Sequence, residues 1–219
     1  MQRPVVPAPV VHFITYKGED MVQVPSYSKV LTLGALGTEQ ALNGTVVMEE
    51  KVDGSQFAWG IDENGEIGCR SHHQQIVMDA AGMFAEAANH VRQMETRLKA
   101  DWDYFERRPI WFYCEYLRKP RQNTLSYNRI PKNHLVLFDV KHGNEWVAPG
   151  ELCYWADAYE IDTVPIFWWG EGASLDTVKT WLARESYLGG PTIEGVVVKN
   201  YEQLIAIGGT TYPLFCKLV

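Results

Sequence analysis

The chain has 219 residues, 46% of them hydrophobic, and a formal net charge of −7 at pH 7. That length allows one large or two small domains with a substantial core, and no run approaches the roughly 18 apolar residues of a membrane span. The acidic balance argues against a surface that binds nucleic acid throughout, because phosphate contacts need positive charge, and four scattered cysteines without a CxxC pair give no zinc signature.

Residues 1–10, with Pro4, Pro7 and Pro9, read as an extended arm. They hold one positive charge and too many prolines for a secretory signal core, which fits a cytosolic protein. Residues 11–40 are mixed, with turn signals at Lys17-Gly18, Gly34 and Gly37. Thr45-Val46-Val47-Met48 reads as a strand that runs into Glu49-Glu50-Lys51-Val52-Asp53-Gly54-Ser55-Gln56, and Phe57–Ile61 reads as a second. Taken alone, Asp53-Gly54 between two strand-like runs is a hairpin signal with a solvated lysine beside it. Glu63-Asn64-Gly65-Glu66 marks a further hairpin tip. Ile76, Ala80, Phe84, Ala87, Val91, Met94 and Leu98 then recur at three- and four-residue steps and predict one long helix over roughly 76–105. Arg107-Arg108-Pro109 stops it.

Strand-like runs follow at Ile110–Leu117, His134–Val140 and Val164–Trp169. Ser174 is placed to cap a short helix carrying Leu175, Val178 and Leu182, ended by Gly189-Gly190-Pro191. Strands at Ile193–Lys199, Leu204–Ile207 and Tyr212–Val219 complete the chain. Strands with two or three helices and no regular βαβ alternation imply an α+β fold around antiparallel sheets. Three of the four cysteines fall in apolar strand-like runs, where a reduced thiol packs as a small hydrophobe.

Charge is unevenly distributed. From Arg107 to Lys132 there are seven basic residues (Arg107, Arg108, Arg118, Lys119, Arg121, Arg129, Lys132) and one acid, Glu115. Trp111, Phe112, Tyr113, Tyr116 and Tyr127 are interleaved with them. A basic, aromatic strip on an acidic body fits either a polyanion groove or a solvated basic loop.

Several charges also sit inside apolar runs. Glu115 lies within an aromatic-rich strand, Leu135–Val140 contains Phe138-Asp139, Glu194 and Lys199 bracket three valines, and Lys217 lies in the final apolar run. Such charges are costly unless paired, liganded or facing a cavity. One alone is ordinarily an edge-strand residue facing water. Several of them, downstream of a lysine fixed at a strand end, point to a polar cavity around a nucleophile. By the two-residue period, Glu194, Val196 and Val198 share one face and Gly195, Val197 and Lys199 the other. From a regular strand only one of Glu194 and Lys199 enters such a cavity directly, and the other works at the strand's end.

In order along the chain, Lys51-x-Asp53-Gly54-Ser55, Glu115, Phe138-Asp139, Glu194-Gly195-Val196-Val197-x-Lys199 and Lys217 resemble the motifs of the covalent nucleotidyltransferases. That superfamily contains ATP-dependent DNA ligases, RNA ligases and mRNA-capping enzymes. The resemblance runs from Lys51 to the C-terminus, about three quarters of the chain. It looks closest to RNA ligases of the phage nick-sealing type. DNA ligases typically place arginine two positions after the motif glycine, where this chain has Gln56, and Arg70 falls where the RNA ligases carry an arginine that meets a phosphate.

The resemblance implies an adenylation domain spanning 1–219: two packed antiparallel sheets, flanking helices and a nucleotide groove between the sheets. It implies a monomeric, cytoplasmic enzyme with no C-terminal accessory domain in this chain. The implied reaction is ATP-dependent joining of RNA 3′-hydroxyl and 5′-phosphate ends, free or in a nicked duplex, through AMP carried on Lys51. A DNA ligase, a capping guanylyltransferase or a catalytically impaired nucleotide- or RNA-binding module are the alternatives. Lys199 and Lys217 would be catalytic cations beside Lys51. Glu50, Asp53, Gly54, Arg70, Glu115, Phe138 and Glu194 would contact the nucleotide, with Phe138 stacked on adenine, and Glu115 and Glu194 would hold Mg²⁺ or Mn²⁺. The last motif departs from the family pattern of two lysines one residue apart: Phe215 or Val219 stands in place of one of them.

Overall fold

The computed structural model describes residues 21–219, so the arm expected at 1–10 and the turn at Lys17-Gly18 lie outside the described residues. Strands β1 (Val30–Thr32), β2 (Val46–Lys51), β3 (Ser55–Ile61), β4 (Ile67–Ser71) and β5 (Gln75–Ile76) lead to helices α1 (Ala85–Gln93) and α2 (Glu95–Tyr104). Next come β6 (Ile110–Tyr116), β7 (Leu135–His142), β8 (Glu145–Trp146), α3 (Leu152–Ala158) and β9 (Asp162–Thr163). The chain ends with β10 (Ile166–Gly170), α4 (Leu175–Trp181), β11 (Gly195–Ile207) and β12 (Thr210–Leu218). One sheet has the order β1-β12-β11-β2-β10; the other has β5-β4-β3-β6-β7-β8, with β9 beside β7. The α+β fold on two mainly antiparallel sheets is therefore the one expected. Two short strands, β1 on β12 and β9 on β7, pair in parallel.

Strand alternation produces the layers. On the outer face of the first sheet, Val46, Met48, Val196 and Val198 pack against Val178 of α4. On the outer face of the second, Phe57, Trp59 and Phe112 pack against Val91 of α1 and Leu98 of α2. Between the sheets lie Val52, Ala58, Tyr113, Val136 and Phe138. Among the described residues no helix is long and apolar enough to cross a membrane.

Four expectations are corrected. Asp53-Gly54 is not a hairpin: β2 pairs with β10 and β11, β3 pairs with β4 and β6, and the turn carries the chain from one sheet to the other. The long helix breaks up. Ile76 belongs to β5, Gly82 takes φ +56°, and the helical run turns at Met94 between α1 and α2. Phe84, Ala87, Val91 and Leu98 obey the helical period because they face one core; Ala80 only mimics it and is exposed. α4 has the expected Ser174 cap, in a reciprocal pair with Thr177, but ends at Trp181, well before Gly189. The strands at 193–199 and 204–207 are one strand, β11, carried across an irregularity where Asn200 Oδ1 accepts the amides of Glu202 (3.1 Å) and Gln203 (2.9 Å).

At depth, the sheets are joined by Lys199. Its Nζ lies 2.7 Å from Glu49 Oε1, 3.1 Å from Asp139 Oδ2 and 2.5 Å from the Phe138 carbonyl. Lys199 and Glu49 belong to the first sheet, Phe138 and Asp139 to the second. The rings of Phe138, Tyr27 and Phe215 surround the ammonium at 5.3, 6.0 and 6.0 Å. Asp139 also accepts the hydroxyls of Tyr27 (2.6 Å) and Tyr201 (3.1 Å). Burial works against the Lys199 charge, yet Asp139 and Glu49 hold it above the ordinary lysine value. Burial pushes the Glu49 carboxyl up to about 7 against the pull of Lys199.

Removing one partner of a buried ion pair leaves uncompensated charge. Lys199→Met should therefore lower the unfolding free energy by about 3–5 kcal/mol in urea titrations at pH 8. Glu49 adds a pH dependence. An acid whose folded pKa is raised favours the folded state below its ordinary value of 4.5 and loses that contribution as pH rises through about 7. Stability should fall between pH 5 and pH 8 by on the order of 1–3 kcal/mol. Titrations of Glu49→Gln across the same range should show a flatter profile.

Candidate active site

Because the Val52-Asp53-Gly54 turn crosses between sheets, Lys51 ends β2 at the edge of the intersheet space. Gly195 is its partner on β11, which brings Glu194, just before that strand, against the amine. Lys51 Nζ donates to Glu194 Oε2 at 2.5 Å. Glu115 approaches from β6, where it pairs with Gln56. Glu115 Oε2 is enclosed and has no hydrogen-bond partner among the described residues. Burial pushes the Glu115 carboxyl up to about 8, opposed by Lys51 and reinforced by Glu194 and Asp53.

Gly54 has a steric reason. A Cβ there would lie 2.9 Å from Glu115 Oε2 and 2.9 Å from the Tyr116 carbonyl. Only glycine lets the crossover run this close to β6.

The amine opens on a cavity of about 180 Å³. Glu49, Val197, Lys199 and Lys217 line it from the first sheet, and Gln56, Glu115 and Phe138 from the second, with Tyr27 at its side. Phe138 owes its position to an irregularity in the β6–β7 register: Tyr113 pairs with Asp139 and Cys114 with Leu137. The bulge turns the consecutive residues Phe138 and Asp139 toward the groove, where both meet Lys199. Phe138 and Val197 thus bound the cavity from opposite sheets.

The two further lysines differ. Lys199, expected as a catalytic cation beside Lys51, is 1% exposed and lies against Glu49 and Asp139. Lys217 reaches the cavity from β12 opposite Val197, and its ammonium has no hydrogen bond or ion pair among the described residues. Phe215, at the other lysine position of the last motif, is buried against Tyr201 (5.0 Å) and Tyr27 (5.7 Å). Glu194 and Lys199 divide as the strand period predicts. Lys199 enters the cavity from the strand, and Glu194 acts from its end.

Of the remaining expected contacts, Glu50 borders the cavity, but its carboxylate accepts from the Ser186 hydroxyl and the Tyr187 amide (3.1 Å). Asp53 Oδ2 accepts two amides, from Thr124 and Leu125, each at 2.7 Å. Arg70 donates to the carbonyls of Val24 (3.0 Å) and Ser71 (3.1 Å) and does not line the cavity. The sequence reading missed Glu49 and Tyr27. Glu49 carried a signal, since residues two apart on β2 share a face with Lys51; Tyr27 stands in an unpatterned segment with none.

Among the described residues no group of three or more His, Cys, Asp or Glu is placed to hold a metal ion. Glu115 and Glu194 offer two carboxylates at Lys51, one with an orphaned enclosed oxygen. That donor set fits a hard divalent ion of the kind held by one or two carboxylates and completed by substrate phosphates and water.

The family model for RNA ligase matches residues 44–211. Comparison with curated proteins finds no match. Among solved structures, Naegleria gruberi RNA ligase with PPi superposes with a TM-score of 0.63 at 15% identity, covering 98% of this chain and 61% of that one. A mutant of the same ligase with ATP and Mn gives 0.61 at 14% identity, covering 88% and 56%. The chain thus spans 56–61% of the length of these ligases, and the likeness at this identity is one of fold. With the intersheet cavity built around its ordered motifs and a family match over most of its length, the chain belongs to the RNA ligase family.

Proposed function

We propose that residues 1–219 form the adenylation domain of an ATP-dependent RNA ligase that joins RNA 3′-hydroxyl and 5′-phosphate ends. The observation that carries this reading is the Lys51 amine, fixed at the end of β2 against Glu194 and Glu115 and open to the intersheet cavity. Lys51 Nζ attacks the α-phosphorus of ATP, forming an N–P bond as the P–O bond to pyrophosphate breaks. Glu194 Oε2, at 2.5 Å, is placed to take the proton that the amine must lose. A 5′-phosphate oxygen of RNA then displaces Lys51 from phosphorus, and the 3′-hydroxyl displaces AMP to form the phosphodiester.

Lys217 supplies positive charge to the phosphates, and Lys199 holds the sheets that bound the cavity. Phe138 offers a ring for adenine to stack on. Glu115 and Glu194 would hold Mg²⁺ or Mn²⁺, which supplies charge neutralisation at the phosphates. The exposed residues Lys119, Arg121 and Lys132 have no ion pair among the described residues and suit an RNA backbone. That a mutant of the Naegleria ligase was solved with ATP and Mn supports a nucleotide and a divalent metal as ligands of this chain. Gln56 at the position after Gly54-Ser55 supports RNA over DNA.

The reading is tested by joining nicked and single-stranded RNA with ATP and Mg²⁺ or Mn²⁺, with GTP and nicked DNA as controls. Sealing of RNA with ATP is expected; joining that needs GTP, or DNA alone, sinks the reading. Lys51→Ala should abolish joining. Lys217→Ala should slow it about 10²-fold, the range of a lost transition-state contact. Reversing the charge of Lys119 and Arg121 should weaken RNA sealing and flatten its dependence on salt.

A further inference from the structure

Three consecutive residues, two of the crossover turn and the first of β3, are fastened to one loop. The Asp53 amide donates to Tyr127 Oη at 2.7 Å, while Asp53 Oδ2 accepts from Thr124 and Leu125 at 2.7 Å each. Asn123 Nδ2 donates to the Gly54 carbonyl at 2.5 Å, and Gln122 Nε2 to Ser55 Oγ at 3.2 Å. Residues 117–131 hold no helix or strand, so these bonds do not arise from regular pairing. Nor do β2 and β3 pair with each other. The turn immediately after Lys51 therefore has no ladder across it and takes much of its geometry from the loop. The ring of Tyr127 is 3% exposed and its amide donates to the Pro120 carbonyl (3.0 Å), which closes the loop on itself.

The same loop carries cations of two kinds. Arg118 pairs with Glu86 (3.0 Å) and Arg129 with Asp162 (2.7 Å). Lys119 and Arg121 are exposed and without ion pairs among the described residues. We propose that the loop from Arg118 to Lys132 is a positioning latch for Lys51, with Tyr127 and Asn123 as its positioning residues. A polyanionic strand seated on Lys119 and Arg121 tightens the latch. The inference rests on the reading of Lys51 as the nucleophile and extends it: the strand to be joined acts on the geometry of the amine before any of its atoms react. An exposed loop loses conformational freedom when it closes, and a bound strand that has already ordered it lowers that cost for the next step.

The test is single-turnover transfer of label from ATP to Lys51 across a range of ATP concentrations. Tyr127→Phe keeps the buried ring and removes the acceptor of the Asp53 amide. It should lower the rate constant at saturating ATP roughly tenfold, with half-saturating ATP and the final labelled fraction unchanged. Asn123→Ala should act in the same direction. An RNA strand with 5′-hydroxyl and 3′-phosphate ends, which cannot be joined, should raise the wild-type rate about fivefold, and this acceleration should vanish in Lys119→Ala/Arg121→Ala. A wild-type rate constant in Tyr127→Phe overturns the latch, and a labelling rate indifferent to RNA overturns the coupling. If the wild type takes no label from ATP, the reading of Lys51 fails. The latch is then decided by an amine-selective acylating reagent. It stands if Tyr127→Phe changes the ratio of Lys51 to Lys217 acylation several-fold and falls if the ratio is unchanged.

Discussion

The fold depends on one buried cation. Lys199 joins Glu49 of one sheet to Asp139 and the Phe138 carbonyl of the other, and aromatic rings shield the group from water. One ammonium faces two carboxylates, and burial raises the pKa of both acids against the pull of Lys199. By itself a buried pair of this kind is weak evidence for stability, because desolvation offsets its Coulomb attraction. Its consequence here is geometric. It forms part of the wall of the intersheet cavity that Lys51, Glu115 and Lys217 also line, with Glu194 against the Lys51 amine.

This arrangement divides the work among three lysines that look equivalent in the sequence. Lys51 ends a strand and faces carboxylates. Lys217 faces the cavity, and its ammonium has no ion pair among the described residues. Lys199 is held inside the structure and acts on the cavity through the spacing of its walls. Phe215 belongs to the same division: a second lysine in the last motif would have placed another charge in the aromatic cluster around Lys199. The ring instead packs beside the clamp, against Tyr201 and Tyr27, and one cation fewer stands in the last motif.

Much of this was legible in the sequence. Apolar runs marked β2, β6, β7 and β11, and the two-residue period separated Glu194 from Lys199 as the structure does. The ordered motifs put Lys51, Glu115, Phe138, Glu194 and Lys217 into one expected site; in the structure four of them line one cavity and Glu194 lies against Lys51. The rest was decided by contacts distant in sequence. Asp53-Gly54 carries the same local signal whether two strands pair or part; only β11 and β6, far along the chain, decide that they part. The helical period over 76–105 included Ile76 and Ala80, which satisfy the spacing without sharing the helix. Arg70 sits where a phosphate contact was expected, yet backbone carbonyls occupy its guanidinium. Tyr127 appeared only as one aromatic in a basic strip, because nothing local to it shows that its hydroxyl meets the amide of Asp53.

The central claim is that Lys51 is the residue the fold prepares as a nucleophile, with Lys199 a structural cation and Lys217 an electrostatic one. Its most direct test is to incubate the protein with ATP and Mg²⁺ or Mn²⁺ and to map any covalent AMP by peptide mass spectrometry. The account predicts an adduct on Lys51 alone, absent in Lys51→Ala. An adduct on Lys199 or Lys217, or the absence of any adduct from protein that is folded and binds ATP, would contradict it.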